Sequence, residues 1–399
     1  MDRRKLITAA SGVFAAAVAG RASAQERSAD RFWGFDNRAA VLTEAQRQAH
    51  FIRLPELDAE SQMDFAGGFK RWQKEYGNPA VNARRTKFLE SIGAPTGKTD
   101  LSFEESFKVL MQDPTYQAEI RLTRTIQELM WARARAALYR NFDLYMSAME
   151  GTDTTGPGSL ELNPTMHIPE YTTHEIHQQP GGYVGDPLAG MLYHYALATA
   201  FYQGLFPGSV RHDEPHGMLA AAAFVPPDGK IKRILELGCS DGRTTIALKE
   251  RFPDAEVWGV DIGGPMVRYA HHRAVAMGHD IHFAQRLAED TRFPDNHFDM
   301  VVINLLFHEV ASFAAKKIVP EIHRVTRPGG TWSGDGSGSG KTQYTHPGTI
   351  VAKAASWVNH RFNFEPWEIQ NLGNDFPALR KAAGFATAMA GDVPVTVKA

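Results

Sequence analysis

From about Gly229 onward, short apolar runs alternate with amphipathic stretches. "IKRILELG", "AEVWGVDI", "DIHFAQR" and "FDMVVINLLF" have the length and the Val, Ile and Phe content of buried strands. "GRTTIALKERFP", "PMVRYAHHRAVAMG" and "AAKKIVPEIHRVTRPGG" carry apolar residues at helical spacing, the last with its own Pro-Gly-Gly stop. Strands and helices in alternation predict βαβ units, and hence a parallel sheet with helices on both faces. No repeat period is evident.

The upstream half has a different grammar, mostly helix and loop from Gln25 to about Phe206. "FEESFKVLMQ" predicts one helix, and the long stretch from Asp113 to Glu150 another, with Ile126, Leu129, Trp131, Leu138, Phe142 and Tyr145 largely three, four or seven apart. Asp113-Pro114 predicts its start, an Asp cap followed by Pro in the first turn. Arg121, Arg124, Arg133, Arg135 and Arg140 predict a solvated face rather than an anion site. "GTDTTGPGS" then breaks the pattern. The next segment, "HIPEYTTHEIHQQPGGYVGDPLAGMLYHYALATAFYQGLF", is dense in His, Tyr and Phe and reads as a lid over a substrate pocket. His174 and His177 offer two metal ligands, but the pattern supplies no third and H-E-x-x-H is absent, so no metal site is expected.

The 399 residues, 43% apolar and 22% charged, suffice for two soluble domains with a sizeable core. A net charge of −2 gives no electrostatic reason for a nucleic-acid partner. The one cysteine, Cys239, excludes an internal disulfide and any multi-cysteine metal site. "MDRRKLITAASGVFAAAVAGRASAQ" has a basic start, an apolar run from Leu6 to Gly20 and a small-x-small site at Ala22-Ser23-Ala24, which is the layout of a signal peptide. Arg3-Arg4 resembles a twin-arginine export signal. The run is too short and too rich in Ala, Gly and Ser to span a membrane, and no later stretch approaches that length. The expected organisation is a leader over 1–24, a mostly helical cap or substrate domain over 25–225, and a cofactor-binding domain over 226–399. The leader implies a periplasmic destination and contact with the export machinery; an inefficient leader would leave the protein in the cytoplasm.

"ILELGCSDGR" admits two chemistries. Gly238-Cys239-Ser240-Asp241-Gly242 spells G-x-S-x-G, the elbow of a serine hydrolase, for which Asp299 and His346 are the nominal acid and base. That fold has several strands before its elbow, whereas here the upstream half is helical. The alternative is a glycine turn between a strand and a helix, where missing side chains admit a nucleotide-like cofactor and the helix start offers free N–H groups. Asp261 closes the next strand nineteen residues after Gly242, the offset at which a carboxylate accepts both hydroxyls of a ribose. The three-glycine dinucleotide pattern fails, because Ser240 and Arg243 stand where it needs glycine. A third possibility is a cofactor fold kept for binding alone.

"ILELGCSDGRTTIAL", "VWGVDI", "AEDTRFPDNHFDMVV" and "RVTRPGG", in this order and spacing, resemble the class I S-adenosylmethionine-dependent methyltransferases, especially their small-molecule branch, over roughly Ile231 to Gly330. The resemblance implies an α/β, Rossmann-like sheet of seven strands with the last pair reversed, "LRKAAGF" and "VPVTVKA" forming the final helix and strand. It implies S-adenosylmethionine as cofactor, with Glu236, Gly238, Cys239 and Gly242 along its methionine part, Asp261 on the ribose and Ile262 against the adenine. Ala288 and Glu289 would flank the adenine edge, and Asn304 would close the site. Ser240 replaces the family's middle glycine, which requires a backbone angle not reserved for Gly. Leu287 stands where an acid commonly meets the adenine amino group.

Methyl transfer is an in-line displacement driven largely by orientation and exclusion of water, and a base is needed where the acceptor must lose a proton. His308, followed by Glu309 just after the fourth strand, lies where an acceptor would enter, as base or substrate anchor. Asn304-Leu305-Leu306-Phe307 outlines the N-P-P-[YF] motif of nucleic-acid amino methyltransferases with both prolines missing. The expected acceptor is therefore a small molecule and not a nucleic acid. "SGDGSGSGKT" misses the phosphate-loop pattern at Asp335 and reads as a connector.

Overall fold

A computed structural model describes residues 57–73, 77–196, 223–334, 337, 347–390 and 393–399. The expected leader, Asp335 and His346 lie outside the described residues, as do residues 197–206 of the lid segment.

Five helices open the described chain: α1 (Leu57–Trp72), α2 (Asn78–Ser91), α3 (Phe103–Leu110), α4 (Pro114–Arg140) and α5 (Phe142–Glu150). The local reasons are readable. Ser102 and Glu105 close a reciprocal capping box on α3, and the Asp113 carboxylate accepts from Thr115 N ahead of Pro114 on α4. The expected single helix from 113 to 150 is interrupted at Asn141, which leaves helical geometry. Ile126, Met130, Trp131, Ala134, Ala137 and Leu138 make one buried stripe of α4 against Ala59, Met63 and Ala66 of α1. The arginines face outward: Arg124 pairs with Glu128 on the next turn and Arg135 with Asp186.

The sheet contains β1 (Ser159–Glu161), β2 (Arg233–Leu237), β3 (Glu256–Asp261), β4 (His282–Gln285), β5 (Phe298–Ile303), β6 (Thr326–Gly334), β7 (Phe385–Ala390) and β8 (Val393–Lys398). Their order is β1-β4-β3-β2-β5-β6-β8-β7. All pairs from β1 to β6 are parallel, and β8 runs antiparallel to both of its neighbours. The seven expected strands and the reversed hairpin are present, and β1 is added at the far edge from the half read as helix and loop. Every residue of β5 is buried, as a central strand covered on both faces must be. The "TRPGG" segment is not a plain helix stop. It opens β6, which pairs with β5 at Thr326 and again from Thr331, leaving Arg327–Gly330 looped out between the two registers.

Helices α6 (Gly182–Gly185) and α7 (Ala189–Leu192) precede the sheet proper; α8 (Arg243–Arg251) and α9 (Gly264–Met277) cover one face of it. Helices α10 (Ser312–Val325) and α13 (Phe376–Ala383) cover the other, and α11 (Ile350–Phe362) and α12 (Glu368–Leu372) lie between them in sequence. Packing crosses the expected 225/226 boundary more than once. Strand β1 joins the sheet from the upstream side, and Ile350 and Ala354 of α11 share a core with Leu89 of α2 and Leu110 of α3. Tyr269 of α9 is buried in the cluster built by α1 and α4.

Candidate functional site

The sheet changes direction of growth at β2, with β3 and β4 on one side and β5 and β6 on the other. Ligands of open α/β sheets bind beyond the carboxyl ends of the strands at such a point. The Gly238–Gly242 turn leaves β2 there and enters α8. Its start is tied down by Gly238 N and Cys239 N, which both donate to Val260 O of β3 at 2.8 and 3.0 Å. Gly242 has φ +79°, and a Cβ there would lie 2.8 Å from Ala270 Cβ, so glycine is demanded by angle and by space.

Ser240 corrects an expectation. Its φ is +53°, inside the left-handed region, so it does occupy an angle that favours glycine. That region still admits small polar residues, at roughly 1–2 kcal/mol. Ser240 N donates to Asp261 Oδ2 at 2.9 Å, while Gly263 N donates to Oδ1 at 2.8 Å. The carboxylate is thereby held across the mouth of the turn, each oxygen keeping a lone pair for a further donor.

The hydrolase alternative fails on geometry. Among the described residues no imidazole is hydrogen-bonded to Ser240 Oγ. Asp299 sits at the other end of the sheet, accepting from Lys232 N, Arg233 N and the Arg327 guanidinium. Strand β2 separates the two residues, at about 3.3 Å per residue. A carboxylate so placed cannot orient a base for Ser240.

Three carboxyl groups, Glu236, Asp241 and Asp261, crowd this turn, the first two of them buried. Burial pushes the Glu236 carboxyl up to about 8, against the hydrogen bond from Thr245 and with the Asp241 charge adding to the rise. Burial also pushes Asp261 up to about 6, against the N–H groups of Gly263 and Ser240 and assisted by the charge of Glu309. Burial likewise raises the Cys239 thiol, so Cys239 is a packed neutral residue of the turn. Arg243 is paired with Asp241. A ligand that carries positive charge and a cis-diol suits this donor set, because it would answer both the buried carboxylates and the open lone pairs. Asn304, at the end of β5, donates to Thr244 Oγ1 at 3.3 Å and so joins the start of α8.

Ile262 follows Asp261, its carbonyl accepting from Gln285 Nε2. Ala288 and Glu289 lie in a tight turn bridged from Leu287 to Asp290, and Glu289 accepts from Tyr171 Oη at 2.9 Å. The structure thus gathers Glu236, Gly238, Cys239, Gly242, Asp261, Ile262 and Asn304 at one strand edge. Ala288 and Glu289 stand beyond β4 under the lid segment.

His308 stands in the loop after β5 beside Glu309, its Nε2 3.6 Å from Glu309 Oε1 and 4.0 Å from Glu365 Oε2. The sequence reading named His177 and Glu309 without bringing them together, and it missed Glu365. His177 Nε2 lies 3.2 Å from Glu309 Oε1, and His177 Nδ1 3.1 Å from Glu365 Oε1. Tyr183 Oη donates to Glu309 Oε1 at 3.2 Å. His177 is buried, which alone would lower its pKa, yet the hydrogen bonds to Glu309 and Glu365 overcome this and push it up to about 10. Its backbone is left-handed, φ +55°, and its carbonyl is clamped by Gln127 Nε2 at 2.7 Å and Trp131 Nε1 at 2.8 Å. His174 does not join the cluster; its ring lies against Trp367. Aromatic density in 167–196 signalled a wall, and the structure shows two edge-on pairs there, Tyr171 with Trp367 and Tyr183 with Tyr193. Glu365 and Asn363 had no signal, since neither belongs to any spaced motif.

Residues 234–330 match the methyltransferase domain family. This stretch is therefore similar to methyltransferase domains. Over 99 residues the chain is 40% identical to a demethylmenaquinone methyltransferase of Thermus thermophilus, covering 25% of this chain and 44% of that protein. It is 33% identical over 99 residues to a fatty-acid O-methyltransferase of Mycolicibacterium smegmatis, covering 25% of this chain and 35% of that one. The chain thus spans less than half the length of these curated relatives. A phosphoethanolamine N-methyltransferase of Haemonchus contortus, solved with S-adenosylmethionine, superposes with a TM-score of 0.36 at 17% identity, over 50% of this chain and 42% of that one, a likeness too low to carry an argument.

Proposed function

We propose that the whole protein is an S-adenosylmethionine-dependent methyltransferase acting on an apolar small molecule. The observation that carries the reading is the pairing of the Gly238–Gly242 turn with Asp261, both of whose carboxylate oxygens are fixed by backbone N–H groups of the turn and of Gly263. S-adenosylmethionine supplies a methyl group on a positively charged sulfur. A cation bound in this cleft draws Glu236 and Asp261 toward their ionised forms, Asp261 accepts from the ribose hydroxyls, and the tyrosines of the lid segment exclude water from the displacement. His308 and Glu309 face the acceptor side and anchor it or receive its proton. The relatives are named for demethylmenaquinone and fatty acids, both largely apolar, which agrees with the aromatic lining here. Calorimetric titration with S-adenosylmethionine and S-adenosylhomocysteine tests the reading: binding of both that is lost in Asp261→Ala supports it, and no binding to the folded protein refutes it.

For the leader we propose export of the folded chain by the twin-arginine route. Retention in the cytoplasmic fraction of a double Arg3→Lys, Arg4→Lys variant, with the parent sequence in the periplasm, is the expected result.

A further inference from the structure

The corner formed by His177, His308 and Glu309 has a geometry that hydrogen bonding leaves half explained. One ligand-capable atom from each, two imidazole nitrogens and one carboxylate oxygen, lies within 4.8 Å of the others. Glu309 Oε1 is 3.2 Å from His177 Nε2 and 3.6 Å from His308 Nε2. Metal bonds of about 2.0–2.2 Å at tetrahedral or octahedral angles set ligand atoms roughly 3–3.5 Å apart. The two distances from Glu309 Oε1 are those of neighbouring vertices around a single ion, and the two imidazole nitrogens, within 4.8 Å of each other, need only a small side-chain adjustment to close the third edge. From these contacts we infer that His177 Nε2, His308 Nε2 and Glu309 Oε1 form a binding site for a divalent first-row transition ion of the zinc type.

Three further features fit. Histidine ligands are normally held from behind by a hydrogen bond to the second ring nitrogen, which fixes the tautomer. His177 has that arrangement: its Nδ1 faces Glu365 Oε1 at 3.1 Å, and Asn363 Nδ2 donates to the same carboxylate oxygen. Charge also balances once the ion displaces the proton on His177 Nε2, because neutral imidazoles with the carboxylates of Glu309 and Glu365 then bring two negative charges to an ion of charge two. Access is graded in the right direction. His177 and Glu365 are 7% and 6% exposed and form the floor, while His308 and Glu309 are 15% and 20% exposed and form the rim. Three protein ligands leave at least one position for water or a small molecule, the arrangement of a working site rather than a closed structural one. Two nitrogens and one oxygen select against magnesium and calcium, which prefer all-oxygen surroundings.

The ion site stands by itself as a binding site; resting on the methyltransferase reading, it further assigns the acceptor a metal-binding oxygen and makes His308 its holder through the ion. The test uses the full chain without a histidine tag, stripped by a chelator and titrated with Co2+ while visible absorption is followed, then with Zn2+ in competition. One equivalent of cobalt with ligand-field bands, displaced by zinc and unmoved by millimolar magnesium, is expected. Glu309→Gln and His308→Gln should each weaken cobalt binding at least about tenfold, and Glu365→Gln by about 10- to 100-fold through His177. Absorption-edge spectra of the cobalt form should show two imidazoles, a readout that does not depend on any variant folding. A stripped, folded protein that gives no cobalt bands, or cobalt binding untouched by His308→Gln, overturns the proposal. Asp261→Ala should bind cobalt normally while losing S-adenosylmethionine, so failure of the ion site and failure of the methyl-transfer reading are told apart.

Discussion

The Gly238–Gly242 turn draws Glu236, Asp261 and Asn304 from neighbouring strands of one sheet, whereas the corner opposite draws His177 from the aromatic segment, His308 and Glu309 from the loop after β5, and Asn363 and Glu365 from the end of α11. On the first wall the backbone does the positioning: Gly238 N, Cys239 N, Ser240 N and Gly263 N all point at groups of β3. On the second, side chains position side chains. A wall made by backbone should tolerate changes in its neighbours and fail when its own carboxylate or glycine is changed. A wall made by side chains should loosen when any distant partner is removed.

Asp261→Ala should break the first wall most completely. Two charge-assisted hydrogen bonds to a ribose, each about 1.5–3 kcal/mol, correspond to a loss of roughly 10²–10⁴-fold in S-adenosylmethionine affinity by calorimetry. Because burial places Asp261 at about 6, the wild-type affinity should hold above that pH and fall below it, as the carboxyl takes up a proton and ceases to be a double acceptor. Gly242→Ala should cost about 2–4 kcal/mol of stability in urea denaturation, from the left-handed angle and the 2.8 Å approach to Ala270.

Glu236→Gln should stabilise the ligand-free protein by on the order of 2 kcal/mol at pH 8.5 and by far less near pH 5. The sign follows from a folded pKa of about 8, above the ordinary 4.5. The wild-type acid contributes stability that is full below 4.5 and is lost as pH rises through 8, while the amide does not titrate. Urea midpoints at the two pH values decide it.

Gln127→Leu probes the second wall. Its amide holds His177 O and Asn363 Oδ1, both at 2.7 Å. Removing it should lower stability by about 1–2 kcal/mol and leave S-adenosylmethionine affinity unchanged, which is the asymmetry the two constructions imply. Arg124→Ala, which removes a half-exposed pair with Glu128 and a stacking contact on Phe362, should lower stability by about 1 kcal/mol or less.

The parallel sheet, its reversed final strand and the turn with its carboxylate nineteen residues on were legible because strand length, glycine position and strand-end acid are local properties of the chain. Strand β1 was not, since three residues at a sheet edge carry no periodicity of their own. The left-handed angle at Ser240 was not legible either; nothing in the letter Ser distinguishes that angle from an ordinary one, and it was settled by Gly238 N and Cys239 N reaching Val260 O on the next strand.

The sequence by itself determined the first wall, because hydrogen bonding between adjacent strands fixes where consecutive motifs must lie. Tertiary structure alone decided the second. Glu365 is an unremarkable acid until α11, packed on α2 and α3, brings it to His177, whose ring is in turn set by Gln127 and Trp131 holding its carbonyl. Contacts between such distant segments depend on the packing of whole helices, and no spacing along the chain records that.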